Sequence, residues 1–114
     1  MDKMLKKLEE YGVNINEIME RFIDDVDLYK TCFVSFINDE SFANLGKALE
    51  EKDYEKAFEF AHTLKGITGN MGFTPLYKIL CHMVDALRQE QYTGLEDFYK
   101  EVMNQLCIIK ELQE

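Results

Sequence analysis

A single proline stands in this chain of 114 residues, and apolar side chains recur at three- and four-residue steps along almost all the rest. One proline and six glycines supply too little turn chemistry for a fold built from many short strands. A repeat of about 3.6 residues belongs to helices, so the chain is predicted to be all-α. Residues 3–11 form a short first helix ended by Gly12, and Ile15, Ile18, Met19, Phe22 and Ile23 give one or two further amphipathic turns. From Val26 the pattern strengthens through Leu28, Tyr29, Cys32, Phe33, Phe36 and Ile37. Asn38-Asp39-Glu40-Ser41 marks a kink or cap, after which Phe42, Leu45, Ala48 and Leu49 continue helically to about Lys52. Asp53 is placed to cap the next helix, whose apolar stripe is Phe60, Leu64, Ile67 and Met71 and whose end is marked by Gly72. Thr74-Pro75 reads as a capping hydroxyl followed by proline at the first helical position. Leu76, Ile79, Leu80, Met83 and Leu87 run down that helix, Tyr92-Thr93-Gly94 breaks it, and Leu95, Phe98, Val102, Leu106 and Ile109 mark the last one. Long helices joined by short turns pack antiparallel. The expectation is one domain: an antiparallel four-helix bundle over residues 26–112, closed at one end by a short N-terminal helical extension over residues 1–25.

Charge narrows the function classes. Thirteen Lys and Arg against 22 Asp and Glu leave a net charge of −9, and no basic stripe is visible, which argues against nucleic acid and against an anionic membrane surface. No apolar run approaches the ~18 residues of a transmembrane helix, and the start, Met1-Asp2-Lys3-Met4-Leu5-Lys6-Lys7, lacks the apolar core of a signal peptide. Cys32, Cys81 and Cys107 form no disulfide framework and read as reduced thiols, which places the protein in the cytoplasm.

Residues 61–72, Ala-His-Thr-Leu-Lys-Gly-Ile-Thr-Gly-Asn-Met-Gly, fit a bland bundle poorly. Gly66 and Gly69 lie inside the helical stripe, where each glycine costs about 1 kcal/mol relative to alanine. On a helical wheel with His62 at zero, Gly66 falls near +40°, Gly69 near −20°, Phe58 near −40° and Lys65 near −60°, while the apolar stripe clusters around roughly 140–200°. His62 therefore projects away from the core with bare backbone beside it and an ammonium close by. Histidine is partly neutral near pH 7 and can act as a nucleophile, the two glycines leave room for a bulky partner or a phosphoryl group, and Lys65 can offset that group's charge. Phe58 offers an apolar contact to a docking protein. The plainer alternatives are a surface histidine and glycines that serve close helix packing. They leave unexplained why His, Lys and two glycines share one face.

His62-Thr63-Leu64-Lys65-Gly66 followed by Gly72 resembles the signature of the histidine phosphotransfer (HPt) domain of bacterial multistep phosphorelays: His, any residue, Leu, Lys, Gly, five variable residues, Gly. The likeness extends to Gly12 through Phe22, to Asp27-Leu28-Tyr29 and Phe36, to Ala48-Leu49 with Asp53, and to Leu76, Leu80 and Asp85. The resemblance implies a phosphoryl carrier that takes a phosphoryl group from an aspartyl phosphate on one receiver domain and passes it to another. It implies that His62 is the phosphorylated residue, that Lys65 is its charge partner, and that Gly66 and Gly69 give access. It also implies response-regulator receivers and a hybrid histidine kinase as partners, a monomeric state, and no intrinsic cofactor, since Mg²⁺ belongs to the receiver. No phosphate-cradling loop is present, so an ATP site and autonomous kinase activity are not expected.

Other constellations are weaker. Cys81-His82 with Cys107 match no closed zinc pattern, and adjacent residues on a helix point about 100° apart. Cys81 and Cys107 read as small core residues, His82 as a surface or groove residue, and Met4, Met19, Met71, Met83 and Met103 as core. A helical adaptor that binds a partner without phosphorylation is the main alternative, and an enzyme using His62 a third. The Met1 start points to a free-standing protein. From Phe60 to Val84 there is no Asp or Glu, only Lys65 and Lys78, so the acidic surplus is expected to lie away from the working face.

Overall fold

The computed structural model describes residues 2–113; Met1, on which the expectation of a free-standing chain rests, lies outside them. Among the described residues there are seven α-helices and no strand: α1 Lys3–Tyr11, α2 Ile15–Arg21, α3 Val26–Ile37, α4 Ser41–Glu50, α5 Tyr54–Met71, α6 Thr74–Arg88 and α7 Leu95–Lys110. The starts are written in side chains that accept the first free backbone N–H groups. Asn14 accepts from Glu17 N at 3.2 Å, Asp25 from Leu28 N at 2.9 Å and Asp53 from Lys56 N at 3.2 Å.

Four faces, α4 on α5, α5 on α6, α6 on α7 and α7 on α4, close a ring, which is the four-helix bundle. α3 packs on α5 and α7 as well, alongside their far ends. Tyr29 donates its hydroxyl to the Met71 carbonyl at the end of α5 (2.8 Å), and Tyr99 near the start of α7 donates to Phe42 at the start of α4 (2.9 Å). α3 and α4 thus serve together as one bundle helix broken at Asn38–Glu40. Phe73, fully buried beyond the end of α5, is the hub of the aromatic core: Phe36 at 5.0 Å, Phe33 at 5.8 Å and Tyr11 at 6.2 Å surround it. Such pairs add about 0.5–1.5 kcal/mol each beyond the area they bury.

Several expectations are corrected in detail. The buried residues of α5 are Ala57, Ala61, Leu64, Thr68 and Met71, whereas Phe60 and Ile67 are only partly buried. On the same wheel the core direction therefore lies near 220°, some tens of degrees from the stripe that large apolar side chains suggest. Alanine is too small to stand out in a hydrophobic pattern, yet it marks where a neighbouring helix comes closest. Thr74 does not cap α6 but lies in its first turn, with Phe73 as the preceding residue and no side-chain cap. α4 stops at Glu50, and Lys52 turns the chain with φ +57°. Leu28 is 45% exposed and Cys107 is exposed, so neither is core. No helix among the described residues is long and apolar enough to cross a membrane.

Candidate functional site

The site is built on α5. His62 is the ninth of its 18 residues, so its backbone is held by helical hydrogen bonds on both sides. The ring is exposed, as its wheel position requires with the core on the opposite side. A groove of about 460 Å³ opens beside it, between α2, α5 and the start of α6, and His62, Lys65, Gly66, Gly69, Arg21 and Tyr77 are among its walls.

The two interior glycines do different things. Apart from its chain neighbours and the backbone of its own helix turn, a Cβ built at Gly66 would meet no atom of the described residues within 4 Å, so the room left by that missing side chain is open. A Cβ at Gly69 would lie 3.1 and 3.3 Å from two ring carbons of Tyr77, so the room there is already occupied by a side chain of α6. Access past the helix backbone is thus offered at Gly66, while Gly69 serves close helix–helix packing.

Gly72 has two reasons to be glycine. Its φ of +81° is left-handed, and its N–H closes α5 on the Thr68 and Gly69 carbonyls at 3.1 and 3.2 Å. A side chain there would also strike Ile18 Cγ2 at 2.9 Å and crowd Val13 Cγ1 at 3.3 Å. Close contact at this point brings the N-terminal helices against the end of the histidine helix. Arg21, the last residue of α2, then donates to the Asn70 carbonyl at 2.7 Å and the Gly69 carbonyl at 3.3 Å. A cation suits these carbonyls because the negative end of the helix dipole lies there.

The electrostatics follow from which segments meet. Lys65 is half-buried and, among the described residues, is in none of the ion pairs, which there are Lys30–Asp2, Lys56–Asp53 and Arg88–Asp85. α2 brings Arg21 and also the acidic Glu17 into the groove wall, so the rim is not acid-free as the 60–84 segment alone implies. On the other side of His62, Phe58 lies one helical turn earlier with ring centroids 5.7 Å apart and planes inclined by 30°. Arg88 from α6 places its guanidinium carbon 5.5 Å from the Phe58 ring centre. Phe58 is half-buried and already engaged within the chain, which limits it as a free docking contact.

Burial shifts the tyrosines that tie this end together. Burial pushes the Tyr11 phenol up to about 12 and raises Tyr29 further, because neither pocket can solvate a phenolate. His82 is exposed, stacks on Phe98 at 6.4 Å and does not line the groove, and no group of three or more His, Cys, Asp or Glu gathers as a metal site among the described residues. Arg21, Glu17, Tyr77 and Arg88 escape a reading along the chain because each reaches the site only through packing.

Residues 17–107, about four fifths of the chain, match the model of the Hpt domain family. No curated protein and no solved structure matches the chain significantly.

Proposed function

The chain belongs to the Hpt domain family, the phosphocarriers of two-component phosphorelays, and on that premise we propose that it relays a phosphoryl group between receiver-domain aspartates through a phosphohistidine at His62. The observation that carries the reading is the open space at Gly66 one turn from an exposed imidazole in the middle of a long, well-anchored helix. A ring nitrogen gives its lone pair to phosphorus as the bond from phosphorus to the receiver's aspartyl oxygen breaks. The electron pair leaves on that carboxylate, and the proton on the other ring nitrogen stays in place. Onward transfer is the reverse, with the second receiver's aspartate as nucleophile. Such chemistry asks the carrier mainly for positioning and charge stabilisation.

Lys65 sits one turn from His62, where its ammonium offsets the charge of the phosphoryl group. Mg²⁺ in the transfer is held by the receiver's acidic pocket. That acidic pocket also favours a docking face whose own segment, residues 60–84, carries no Asp or Glu. The protein acts in the cytoplasm as a monomer, with response-regulator receivers and a hybrid histidine kinase as its partners.

Incubation with a phosphorylated receiver and Mg²⁺ tests the reading. Acid-labile, alkali-stable phosphate is expected on the protein and is lost in His62→Gln. Label that persists in His62→Gln, or fails to form with every receiver of the same organism, refutes it and favours the adaptor.

A further inference from the structure

We propose that Phe58 is a positioning residue for His62, with Arg88 holding Phe58 in place from α6. The proposal rests on His62 as the phospho-acceptor. Exposed side chains ordinarily sample several rotamers, and histidines that work as bases or ligands are usually oriented by a hydrogen bond at one ring nitrogen. Among the described residues no hydrogen bond or ion pair holds the His62 ring, and its ring contact is with Phe58.

A stack does something here that a hydrogen bond would not. A hydrogen bond takes up one nitrogen of the imidazole, as donor or acceptor. Contact with the ring face restrains its plane and leaves both nitrogens at the free edge, one to attack phosphorus and the other to keep its proton. The i, i+4 spacing on α5 puts the two rings one above the other, and the 5.7 Å separation with a 30° inclination is an offset, nearly parallel stack.

Phe58 in turn needs a fixed position, since a mobile ring would orient nothing. Its flank packs on the core, and the Arg88 guanidinium lies 5.5 Å from its ring centre, within cation–π range. Arg88 also contacts Asp85 one turn earlier on α6 at 3.6 Å, which restrains its own sweep. The column Arg88–Phe58–His62 therefore ties the imidazole to α6 as well as to its own helix.

The test uses the whole protein and two independent readouts. Three-bond couplings and ring-current shifts of the His62 imidazole report its rotamers in the free protein, and transfer kinetics are followed from a phosphorylated receiver and from phosphoramidate. Phe58→Leu is expected to average the couplings and slow both transfers by up to about sixfold, the product of three χ1 wells and a two-fold χ2. Phe58→Tyr retains both behaviours, and Arg88→Met shifts both in the same direction by less. Unchanged couplings in Phe58→Leu or, should that variant not fold, in Arg88→Met overturn the proposal. So does a Phe58→Leu defect confined to the KM for the receiver, which would make Phe58 a docking contact alone. If the wild-type protein accepts no phosphate, the relay reading fails, and the couplings still decide whether Phe58 orients the ring.

Discussion

Substitution at Gly66 should separate stability from function, in opposite directions. Beyond its own helix backbone a Cβ there meets none of the described residues within 4 Å, and the residue lies in the interior of α5, so no packing contact opposes a methyl group. Replacing an interior helical glycine by alanine removes backbone entropy from the unfolded chain and stabilises by about 0.5–1 kcal/mol. For a chain of this length that gain corresponds to a rise in Tm of roughly 2–4 °C. The same space is what a partner needs: Gly66 and His62 are four residues apart, so their side chains would be neighbours. Gly66→Leu should keep the helical content and a melting temperature at or above wild type. It should slow transfer from a receiver by about 100-fold, the effect of displacing a reacting group by an ångström, while phosphoramidate still labels the protein. Gly69→Ala is the control, because its Cβ falls 3.1 Å from the Tyr77 ring and the entropy gain is offset by that crowding. Thermal melts by circular dichroism with transfer kinetics decide the matter. A lower melting temperature in Gly66→Ala, or full receiver transfer in Gly66→Leu, would refute the reasoning.

Lys65→Ala should slow transfer or shorten the phosphohistidine lifetime by about tenfold with unchanged far-ultraviolet circular dichroism, and unchanged kinetics would remove Lys65 from the mechanism. Tyr29→Phe deletes the buried 2.8 Å bond to the Met71 carbonyl and should cost about 1–2 kcal/mol, read as a lower midpoint in urea. Thr68 is fully buried and its hydroxyl finds no partner among the described residues, so the nearly isosteric Thr68→Val should be neutral or stabilise by up to roughly 1 kcal/mol in the same assay. Tyr11 and Tyr29 have raised folded-state values, so their contribution is complete below the ordinary phenol value of 10.0 and is lost as pH rises toward about 12 and beyond. Unfolding should therefore accompany ionisation of Tyr11 and Tyr29, followed through the ring resonances of these two residues, and ionisation of both in a protein that stays folded would contradict this.

Much of the fold was legible along the chain because helices announce themselves locally. Caps at Asp53 and Gly72 and the apolar steps of α6 and α7 involve residues within a turn or two of one another, and each appears in the structure where the spacing predicts it. The errors fall where the deciding contact is remote. Alanines 57 and 61 form the true buried edge of α5, and Leu28 sits on an apolar pattern yet faces solvent. No local rule distinguishes these cases, since burial depends on which helix lies opposite.

The candidate site divides along the same line. His62, Lys65, Gly66 and Gly69 belong to one helix, so their shared face follows from helical geometry, and the family resemblance rests on that face. Arg21 and Glu17 come from a helix about forty residues earlier, and Tyr77 and Arg88 from the helix after. Which glycine is open and which is filled depends on where α6 lays the Tyr77 ring. By itself the sequence determined the helices, caps such as Asp53 and Gly72, and the composition of the face around His62, because these depend on neighbours at i, i+3 and i+4. Only the tertiary structure decided what surrounds that face, because packing between helices joins residues whose separation along the chain carries no periodic signal.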